Sequence, residues 1–423
     1  MNEMNIPPKP SNVTWTDEQW KAITAQGRDI LVAAAAGSGK TAVLVERIIR
    51  KITATEEPLD VDQLLVVTFT NAAAAEMRHR IGEALEKEIN HHPNSYHLRK
   101  QLGLLNRASI STVHSFCLEV IRKYYYLIDI DPGFRIADET EGQLLIDEVI
   151  NELFEEQYGK KDNEAFFALV ETFTNDRSDE AMQKIVTELY EFARANPNPE
   201  QWLHSIVEMY NVDSSTSIND LPFIDTLLYQ IDLQLKGAYR LLKEAYELTK
   251  LPGGPAPRAE TYLSDLQLVE HLINAHNDSW ETLYNGMQTL AFSRAKACRG
   301  EDYDQTLVAR AQQFRDQAKK ILTDLQSDLF SRKPSSFIQD MREMSGHIQT
   351  LVNLVKTFSI RFNSVKKSKG LADFSDLEHY SLEILTANQL EDGTRQPSEA
   401  ALFYQKQFKE VLVDEYQDSA TRC

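Results

Sequence analysis

Hydrophobic and polar positions change their spacing twice along this chain of 423 residues. In about the first 140 residues, short apolar runs alternate with segments of helical spacing. Ile30 to Ala33 and Leu64 to Val67 are typical of buried strands, and Ala108 to Val113 and Phe134 to Ala137 are further strand candidates. This alternation predicts a parallel sheet covered by helices.

Predicted helices follow the first two of these strands. The helix after the second strand runs from Asn71 to Asn90 and is rich in Ala, Glu and Met. The helix after the first strand begins at a glycine turn, and one of its faces carries the apolar residues Ala42, Val45, Ile48, Ile49 and Ile52.

From about Glu139 to Ser364, the spacing of apolar residues is helical almost throughout. After Gly370, a predicted helix from Phe374 to Leu385 leads through a polar loop, Asn388 to Pro397, to a second helix and the apolar run Phe408 to Val413. That run is typical of one more buried strand.

The simplest assembly is an α/β domain with a helical insertion, in which the last strand returns to the first sheet. We therefore predict that residues 1–140 and 366–423 form the α/β domain and that residues 141–365 form a large all-helical insertion domain.

The net charge of -19 argues against a protein that binds nucleic acid as a polycation. The acidic excess is uneven, however, since residues 1–140 contain 16 Lys and Arg against 18 Asp and Glu. A local DNA-binding groove remains compatible with this distribution.

Cysteine usage and apolar run length predict where the protein resides. Cys117, Cys298 and Cys423 contain no CxxC pair, which favours a reducing compartment. No apolar run approaches the roughly 20 residues that span a bilayer, and the first residues do not resemble a secretory signal. These features predict a cytoplasmic protein with no membrane partner.

Residues 34–41 place a glycine-rich turn between a predicted strand and a predicted helix. Backbone N–H groups in such a turn surround phosphates, and the helix N-terminus adds a favourable dipole. We expect Lys40 to reach the β- and γ-phosphates of ATP and Thr41 to hold Mg²⁺. Ala34 replaces the first glycine of the general pattern, and the alternative is an Ala-Gly turn that caps a helix. The predicted ATP-binding loop comprises Ala34, Ala35, Ala36, Gly37, Ser38, Gly39, Lys40 and Thr41.

The last predicted strand runs directly into two acids, Asp414 and Glu415. A strand end aims Asp414 at the metal and leaves Glu415 to orient or deprotonate the attacking water. Lys40, Asp414 and Glu415 are therefore the predicted catalytic residues, and Thr41 and Asp414 are the predicted metal ligands. An ordinary acidic turn after a buried strand is the alternative.

Four sequence blocks and a short upstream segment carry a family resemblance. AAAAGSGKT, TFTNAAAAEMR, STVHSFC and DEYQD resemble, in order and spacing, motifs I, Ia, Ib and II of UvrD-like superfamily 1 helicases. WTDEQ, which ends at Gln19, resembles the Q motif. The resemblance implies a RecA-like P-loop domain with a helical insertion, ATP and Mg²⁺ as cofactors, and an adenine contact from Gln19.

In these helicases motif Ia lines the track for single-stranded DNA, with an aromatic face for a base. Phe69 takes that position here, although a Phe after a buried strand usually packs in the core, which is the alternative. Motif Ib contacts the sugar-phosphate backbone. The resemblance thus implies DNA contacts from Thr68, Phe69, Asn71, Thr112, His114 and Ser115.

Within the superfamily, the chain resembles the AddA family, the helicase-nuclease components of bacterial AddAB complexes. The segments WTDEQWKAI, HSFCLEVIRKYYYLIDIDPGFRIADETE and Ala372 to Glu378 carry this likeness. It implies one component of an ATP-dependent DNA helicase and exonuclease that acts in double-strand break repair by homologous recombination. It also implies single-stranded DNA and duplex ends as substrates and AddB as the heterodimer partner.

The chain ends directly after motif II, where Ala420 to Cys423 departs from the family pattern and resembles a truncated end. Motifs III to VI and the nuclease would follow. Because the second motor domain supplies arginines worth about 10³ to 10⁵ in rate, we expect this chain to bind ATP weakly, to hydrolyse little of it and not to unwind DNA. A binding module without turnover and an unrelated P-loop enzyme such as a kinase are the alternatives.

Overall fold

The computed structural model describes residues 6–11, 13–27, 29–35, 37–174, 178–390 and 393–416. The strands are β1 Leu64–Thr68, β2 Ser109–Thr112, β3 Arg135–Ile136, β4 Leu371–Ala372, β5 Thr386–Gln389, β6 Arg395–Pro397 and β7 Glu410–Val413. The helices are α1 Asp17–Thr24, α2 Lys40–Ile52, α3 Asn71–His91, α4 Tyr96–Leu104, α5 Val113–Tyr124, α6 Glu139–Gly159, α7 Glu164–Phe173, α8 Glu180–Arg194, α9 Pro199–Met209, α10 Ile224–Leu248, α11 Ala259–Asp278, α12 Trp280–Gln288, α13 Gln305–Leu329, α14 Pro334–Ser368, α15 Phe374–Leu385 and α16 Glu399–Gln407.

Strands β1, β2 and β7 form a three-stranded parallel sheet with β1 in the middle. Val66 of β1 lies opposite Ile110 on one side and Leu412 on the other. All of β1 is buried, whereas Val411 and Val413 of β7 are exposed. The predicted parallel sheet, and the return of the last strand to it, are confirmed.

The predicted strand Ile30 to Ala33 is wrong for this structure, because residues 29–35 have no regular secondary structure. Leu31 is 79% exposed, and Ile30 and Val32 are also exposed. An apolar run has strand propensity, but a strand forms only when its N–H and C=O groups pair with a neighbour. In the described part of the chain, the outer edge of β7 has no paired strand.

Helix α2 covers the sheet with an apolar face that differs slightly from the predicted one. Ile48 and Ile52 are buried in a core that also contains Val66 and Leu412. Ala42, which was predicted on this face, is exposed. The buried face instead includes Val43, Arg47, Ile48, Ile49 and Ile52, so Val43 is buried where Ala42 was predicted to be.

Other predicted elements agree except at two places. The helix predicted from Phe374 to Leu385 is confirmed as α15. The strand predicted within Phe134 to Ala137 forms as β3, but it pairs with β4 and not with the central sheet. The loop predicted from Asn388 to Pro397 contains most of an antiparallel hairpin, β5 and β6, whose polar sequence lacks the apolar alternation that identifies a strand.

The chain divides into two compact units. The sheet unit comprises residues 1–156, 183–199 and 357–423, and the helical unit comprises residues 157–182 and 200–356. The helical unit is built from helices around its own apolar core, to which α10, α11 and α13 contribute. It also contains a buried ion pair between Arg315 and Asp265.

Candidate nucleotide-binding and nucleic-acid-binding site

The carboxyl ends of β1, β2 and β7 lie at one edge of the sheet, because the three strands are parallel. Thr68 lies opposite Thr112, and Val67 lies opposite Val413. The segments that follow the three strands therefore emerge side by side, which is where parallel α/β sheets commonly bind ligands.

The turn before α2 depends on two glycines with left-handed backbone conformations. Gly37 has φ +78° and Gly39 has φ +84°, which glycine adopts without steric strain. Gly39 is the N-cap residue, so α2 begins at Lys40. The first N–H groups of a helix have no intrahelical partner, and with the helix dipole they favour a bound phosphate.

The other predicted residues of the ATP-binding loop are accessible. Lys40 Nζ donates a hydrogen bond to the Ala34 carbonyl oxygen at 3.3 Å, which folds the side chain over the loop. Ala36 lies outside the described residues. Ala34, Ala35, Gly37 and Ser38 are exposed, and Gly39, Lys40 and Thr41 are half-buried.

Gln19 lies against this loop. Its Nε2 donates to the Ser38 carbonyl oxygen at 3.0 Å. Its Oε1 accepts from the Thr16 N–H at 2.9 Å, in a reciprocal cap of α1. The structure therefore brings the predicted adenine-binding side chain together with the predicted phosphate loop and holds its amide in one orientation.

Asp414 follows β7, and its N–H donates to the Val67 carbonyl oxygen at 2.8 Å. Burial raises the pKa of the Asp414 carboxyl above its usual 3.8, the charge of Glu415 raises it further, and the charge of Lys40 lowers it. Lys40 is thus close enough to act electrostatically on Asp414. The fold brings these two predicted catalytic residues into one environment although they are far apart in sequence.

Glu415 adopts a left-handed backbone conformation with φ +54°. This conformation is unfavourable for a residue with a Cβ, and residues held in it cluster at functional sites, although Glu57 and Asp162 also adopt it. The Glu415 N–H donates to Asp414 Oδ1 at 3.2 Å, so the turn holds the two acids together. Gln417 and Asp418 of the same motif lie outside the described residues.

The donor set around this edge fits Mg²⁺. In the part of the chain that the structure describes, no group of three or more His, Cys, Asp or Glu could hold a metal ion. The oxygen donors Thr41 and Asp414 match the usual pattern for Mg²⁺, which binds one or two protein ligands together with substrate phosphates and water.

The end of β1 presents the first set of predicted DNA contacts. Phe69 is 52% exposed, which is incompatible with the alternative that it packs in the core. Asn71 is exposed at the start of α3, where Thr70 caps the helix by accepting from the Ala73 N–H at 3.0 Å. Thr68 is buried and donates its hydroxyl hydrogen to the Thr70 carbonyl oxygen, so a direct DNA contact from Thr68 stays a prediction.

The end of β2 presents the second set. Thr112 is buried and caps α5 by accepting from the Ser115 N–H at 3.2 Å. Ser115 is exposed, and its hydroxyl lies 3.4 Å from Asn71 Oδ1, which connects the two sets. His114 Nε2 donates to the carboxylate of Glu378 at 3.0 Å.

Two residues of helix α15 that were not predicted as part of the site lie beside His114. Phe374 is 53% exposed, and its ring centroid lies 4.9 Å from that of His114. Glu378, one turn later, is the hydrogen-bond partner of His114. The sequence contained a signal for this position of Phe374. Asp373 and Asp376 form the reciprocal cap that marks a helix start, and Phe374 is the first residue of that helix.

No helix among the described residues is both long enough and apolar enough to cross a membrane.

Three curated relatives are named as a subunit of an ATP-dependent helicase/nuclease. The proteins of Bacillus licheniformis, Bacillus velezensis and Geobacillus kaustophilus are 59%, 55% and 55% identical to this chain over 97%, 97% and 98% of its length. The chain spans about a third of the length of each, 33%. These relatives confirm the resemblance to the helicase-nuclease components of the AddA family.

The family described as the UvrD/REP helicase N-terminal domain matches residues 15–422. This match covers the phosphate loop, both sets of predicted DNA contacts, α15 and the two acids after β7. It excludes the alternative of an unrelated P-loop enzyme. The chain therefore belongs to the family of the UvrD/REP helicase N-terminal domain.

Proposed function

We propose that this chain is the ATP·Mg²⁺-binding and single-strand DNA-binding part of an ATP-dependent DNA helicase/nuclease that acts in double-strand break repair by homologous recombination. The observation that carries the proposal is the shared edge of the sheet. Lys40 acts electrostatically on Asp414 there, and the exposed Phe69 follows the adjacent strand.

The nucleotide part of the proposal assigns a role to each residue at that edge. The turn at Gly37 and Gly39 and the first N–H groups of α2 cradle the phosphates, and Lys40 neutralises their charge. Thr41 and Asp414 hold Mg²⁺, which stabilises the charge that develops on the phosphate oxygens. Glu415 orients or deprotonates the attacking water, and Gln19 reads the adenine.

The DNA part of the proposal uses the ends of β1 and β2. Phe69 stacks on a base, as sequence-tolerant single-strand binders do. Asn71, Ser115 and His114 bind the backbone near the N-termini of α3 and α5, where partial positive charge favours phosphate. Phe374 extends the aromatic surface beside His114.

At the scale of the chain, we propose that residues 1–140 and 366–423 form a RecA-like domain and that residues 141–365 form its helical insertion. The parallel sheet and the separate helical unit support this assignment. We also propose a cytoplasmic location, DNA ends as substrates and a heterodimer with an AddB-type protein. The relatives are named as one subunit of an enzyme, which supports a partner.

Lys40→Ala tests the nucleotide site. We expect the affinity for ATP·Mg²⁺, measured with a fluorescent ATP analogue, to fall about 10- to 100-fold, since hydrogen bonds to charged groups contribute about 1.5 to 3 kcal/mol. Lys87→Ala on α3 is the matched control and should bind normally. Equal affinity of Lys40→Ala and the unmodified chain would refute the assignment.

Phe69→Ala tests the DNA track. We expect binding of a fluorescent oligothymidine to weaken about tenfold, since one base stacked on an aromatic ring is worth about 1 to 3 kcal/mol. Tyr96→Ala is the control, because Tyr96 is 83% exposed but lies on α4, away from the strand ends. A similar loss in both variants would indicate non-specific aromatic binding and no defined track.

ATP turnover separates the motor from a binding module. We expect any ATP hydrolysis by the 423-residue chain to be lost in Glu415→Gln, because that carboxylate is proposed to orient or deprotonate the attacking water. Hydrolysis by Glu415→Gln as fast as that by the unmodified chain would contradict the role proposed for Glu415.

A further inference from the structure

Arg47, on the helix that follows the phosphate loop, connects three elements of the candidate ATP site. Its Nε donates to Oε1 of Glu410, the first residue of β7, at 2.6 Å. Its Nη1 donates to the carbonyl oxygens of Ala22 and Ile23 at 2.9 and 3.2 Å. These carbonyls belong to the last turn of α1, where C=O groups lack intrahelical partners. Arg47 therefore joins α1, α2 and β7 although it is only 8% exposed.

Neighbouring contacts reinforce this connection. Lys51 Nζ lies 2.6 Å from Glu410 Oε2, so both oxygens of that carboxylate are paired. The guanidinium of Arg50 lies 4.5 Å above the ring of Trp20, which gives α1 and α2 a second, cation–π contact. Since burying an unpaired charge is strongly unfavourable, the Glu410 carboxylate is what allows two cations to lie at this position. Arg47, Lys51 and Glu410 are named the Glu410 cluster.

The Glu410 cluster lies on the same face of α2 as Lys40 and on the same side of β7 as Asp414. Lys40, Arg47 and Lys51 are seven and four residues apart, a spacing that places them on one face of a helix. Glu410 of β7 and Asp414, the residue after β7 whose N–H continues the pairing with β1, lie four positions apart and so share one face, because side chains of an extended chain alternate. Between those two acids, Leu412 packs in the core beside the apolar residues of α2.

The row of cations on α2 and the row of acids along β7 run in opposite directions and are similar in length. From Lys40 to Lys51 the helix rises about 16 Å at about 1.5 Å per residue. From Glu410 to Asp414 the extended chain of β7 and the residue after it spans about 13 Å at about 3.3 Å per residue. Pairing at the Glu410 end therefore sets the axial position of Lys40 relative to Asp414 at the other end. Residues 29–35, which lead into the phosphate loop, are not paired with the sheet. The position of the loop therefore depends on α2 and on this pairing.

We propose that the Glu410 cluster is a positioning device for the ATP site. The bond between Arg47 and Glu410 sets the distance between the phosphate-binding end of α2 and the metal ligand Asp414. The bonds from Arg47 to the last turn of α1 set the position of Gln19 over the phosphate loop. In this role, none of the three cluster residues needs to touch the nucleotide. The inference rests on the proposed function.

Two ratios measured with the whole chain test the device. The magnesium enhancement is the affinity for a fluorescent ATP analogue with Mg²⁺ divided by its affinity with EDTA. The adenine preference is the affinity for ATP divided by that for inorganic tripolyphosphate, both measured by competition. The first ratio requires Lys40 and Asp414 to act on one ligand, and the second requires Gln19.

Glu410→Gln should lower the magnesium enhancement about tenfold, comparable with the loss of a group that orients a metal ligand. The affinity in EDTA and the adenine preference should stay within about twofold of their original values. Arg47→Lys should have the complementary effect, because a single ammonium group reaches Glu410 but not also the two α1 carbonyls. It should lower the adenine preference and retain the magnesium enhancement.

Asp265→Asn is the matched control for damage to a buried ion pair. It leaves Arg315 without its carboxylate partner in the helical unit and should lower the melting temperature without changing either ratio. If Glu410→Gln and Arg47→Lys lower every affinity by the same factor, or leave both ratios unchanged, the inference is overturned. If the unmodified chain has no magnesium enhancement, the proposed ATP site itself fails, which is a distinguishable result.

Discussion

Asp414 combines a favourable position for metal binding with an unfavourable electrostatic environment. Burial and the charge of the neighbouring Glu415 raise the pKa of its carboxyl, whereas the hydrogen bond from the Glu415 N–H and the charge of Lys40 lower it. A bound Mg²⁺ would reverse this balance by stabilising the ionised form. In the proposed site, the same residue would therefore cost stability in the free protein and contribute binding energy when the metal nucleotide is present.

Asp414→Asn should consequently stabilise the nucleotide-free protein at neutral pH. Because the folded-state pKa lies above the unfolded value of 3.8, stability falls as the pH rises through the raised pKa, and the uncharged amide avoids this loss. We expect the free energy of unfolding at about pH 7.5 to rise slightly, since solvent screening weakens the effect at a half-buried site, and the difference to shrink as the pH falls towards the unfolded-state pKa.

Urea unfolding at neutral and at acidic pH measures this effect, and the magnesium enhancement of ATP binding should be lost in the same variant. A variant that is less stable than the original chain at neutral pH would mean that the carboxylate makes a net stabilising contact.

The backbone conformation at Gly39, like the electrostatic environment of Asp414, restricts which residue the site accepts. Its φ of +84° at the N-cap of α2 is costly for a residue with a Cβ. Gly39→Ala should lower stability by about 1 kcal/mol and weaken ATP binding, because relief of the strain redirects the N–H groups of the turn. Gly346→Ala, in α14, is the control and should be neutral or stabilising, since an added Cβ there meets nothing within 4 Å.

At the scale of elements, the cap of α5 contributes both to stability and to the position of the proposed DNA contacts. The Thr112 side chain accepts from the Ser115 N–H and so holds the start of the helix that carries His114 and Ser115. Thr112→Ala should cost about 1 kcal/mol and weaken single-strand binding, whereas Thr112→Ser retains the hydroxyl and should restore both. Failure of the serine variant to restore binding would point to a direct role of the threonine methyl group.

The segment 29–35 is the element whose observed state differs most from its sequence tendency. No main-chain hydrogen bond between described residues is donated by its N–H groups. In amide hydrogen exchange followed by mass spectrometry, residues 29–35 should exchange as fast as an unprotected loop, while β1 remains protected. Protection of this segment equal to that of β1 would contradict the observed structure.

At the scale of the whole molecule, the two compact units contain separate apolar cores, and unfolding need not be a single transition. The proposed ATP site lies entirely in the sheet unit. Saturating ATP·Mg²⁺, at about 100 times its dissociation constant, should therefore stabilise that unit by about 2.7 kcal/mol and leave the helical unit unchanged. Calorimetry with and without nucleotide measures this, and an equal shift of all unfolding would refute it.

Sequence alone predicted most of what depends on near neighbours. The phosphate loop, the helix from Phe374 to Leu385, the strands β1 and β2 and the acids after β7 all follow from apolar spacing, caps and glycines within a few residues of each other. The resemblance to known helicases then joined these local signals into one proposed site.

Only the tertiary structure decided which of these local tendencies were realised. Ile30 to Ala33 has the composition of a strand but lies exposed, because strand formation requires a pairing partner. Arg47 lies on an otherwise apolar helix face. Its burial there is explained only by Glu410, 363 residues later, which supplies the buried counter-charge. Adjacent residues determine short-range conformational preference. Strand pairing, burial and electrostatic coupling depend instead on groups that only the folded chain brings together.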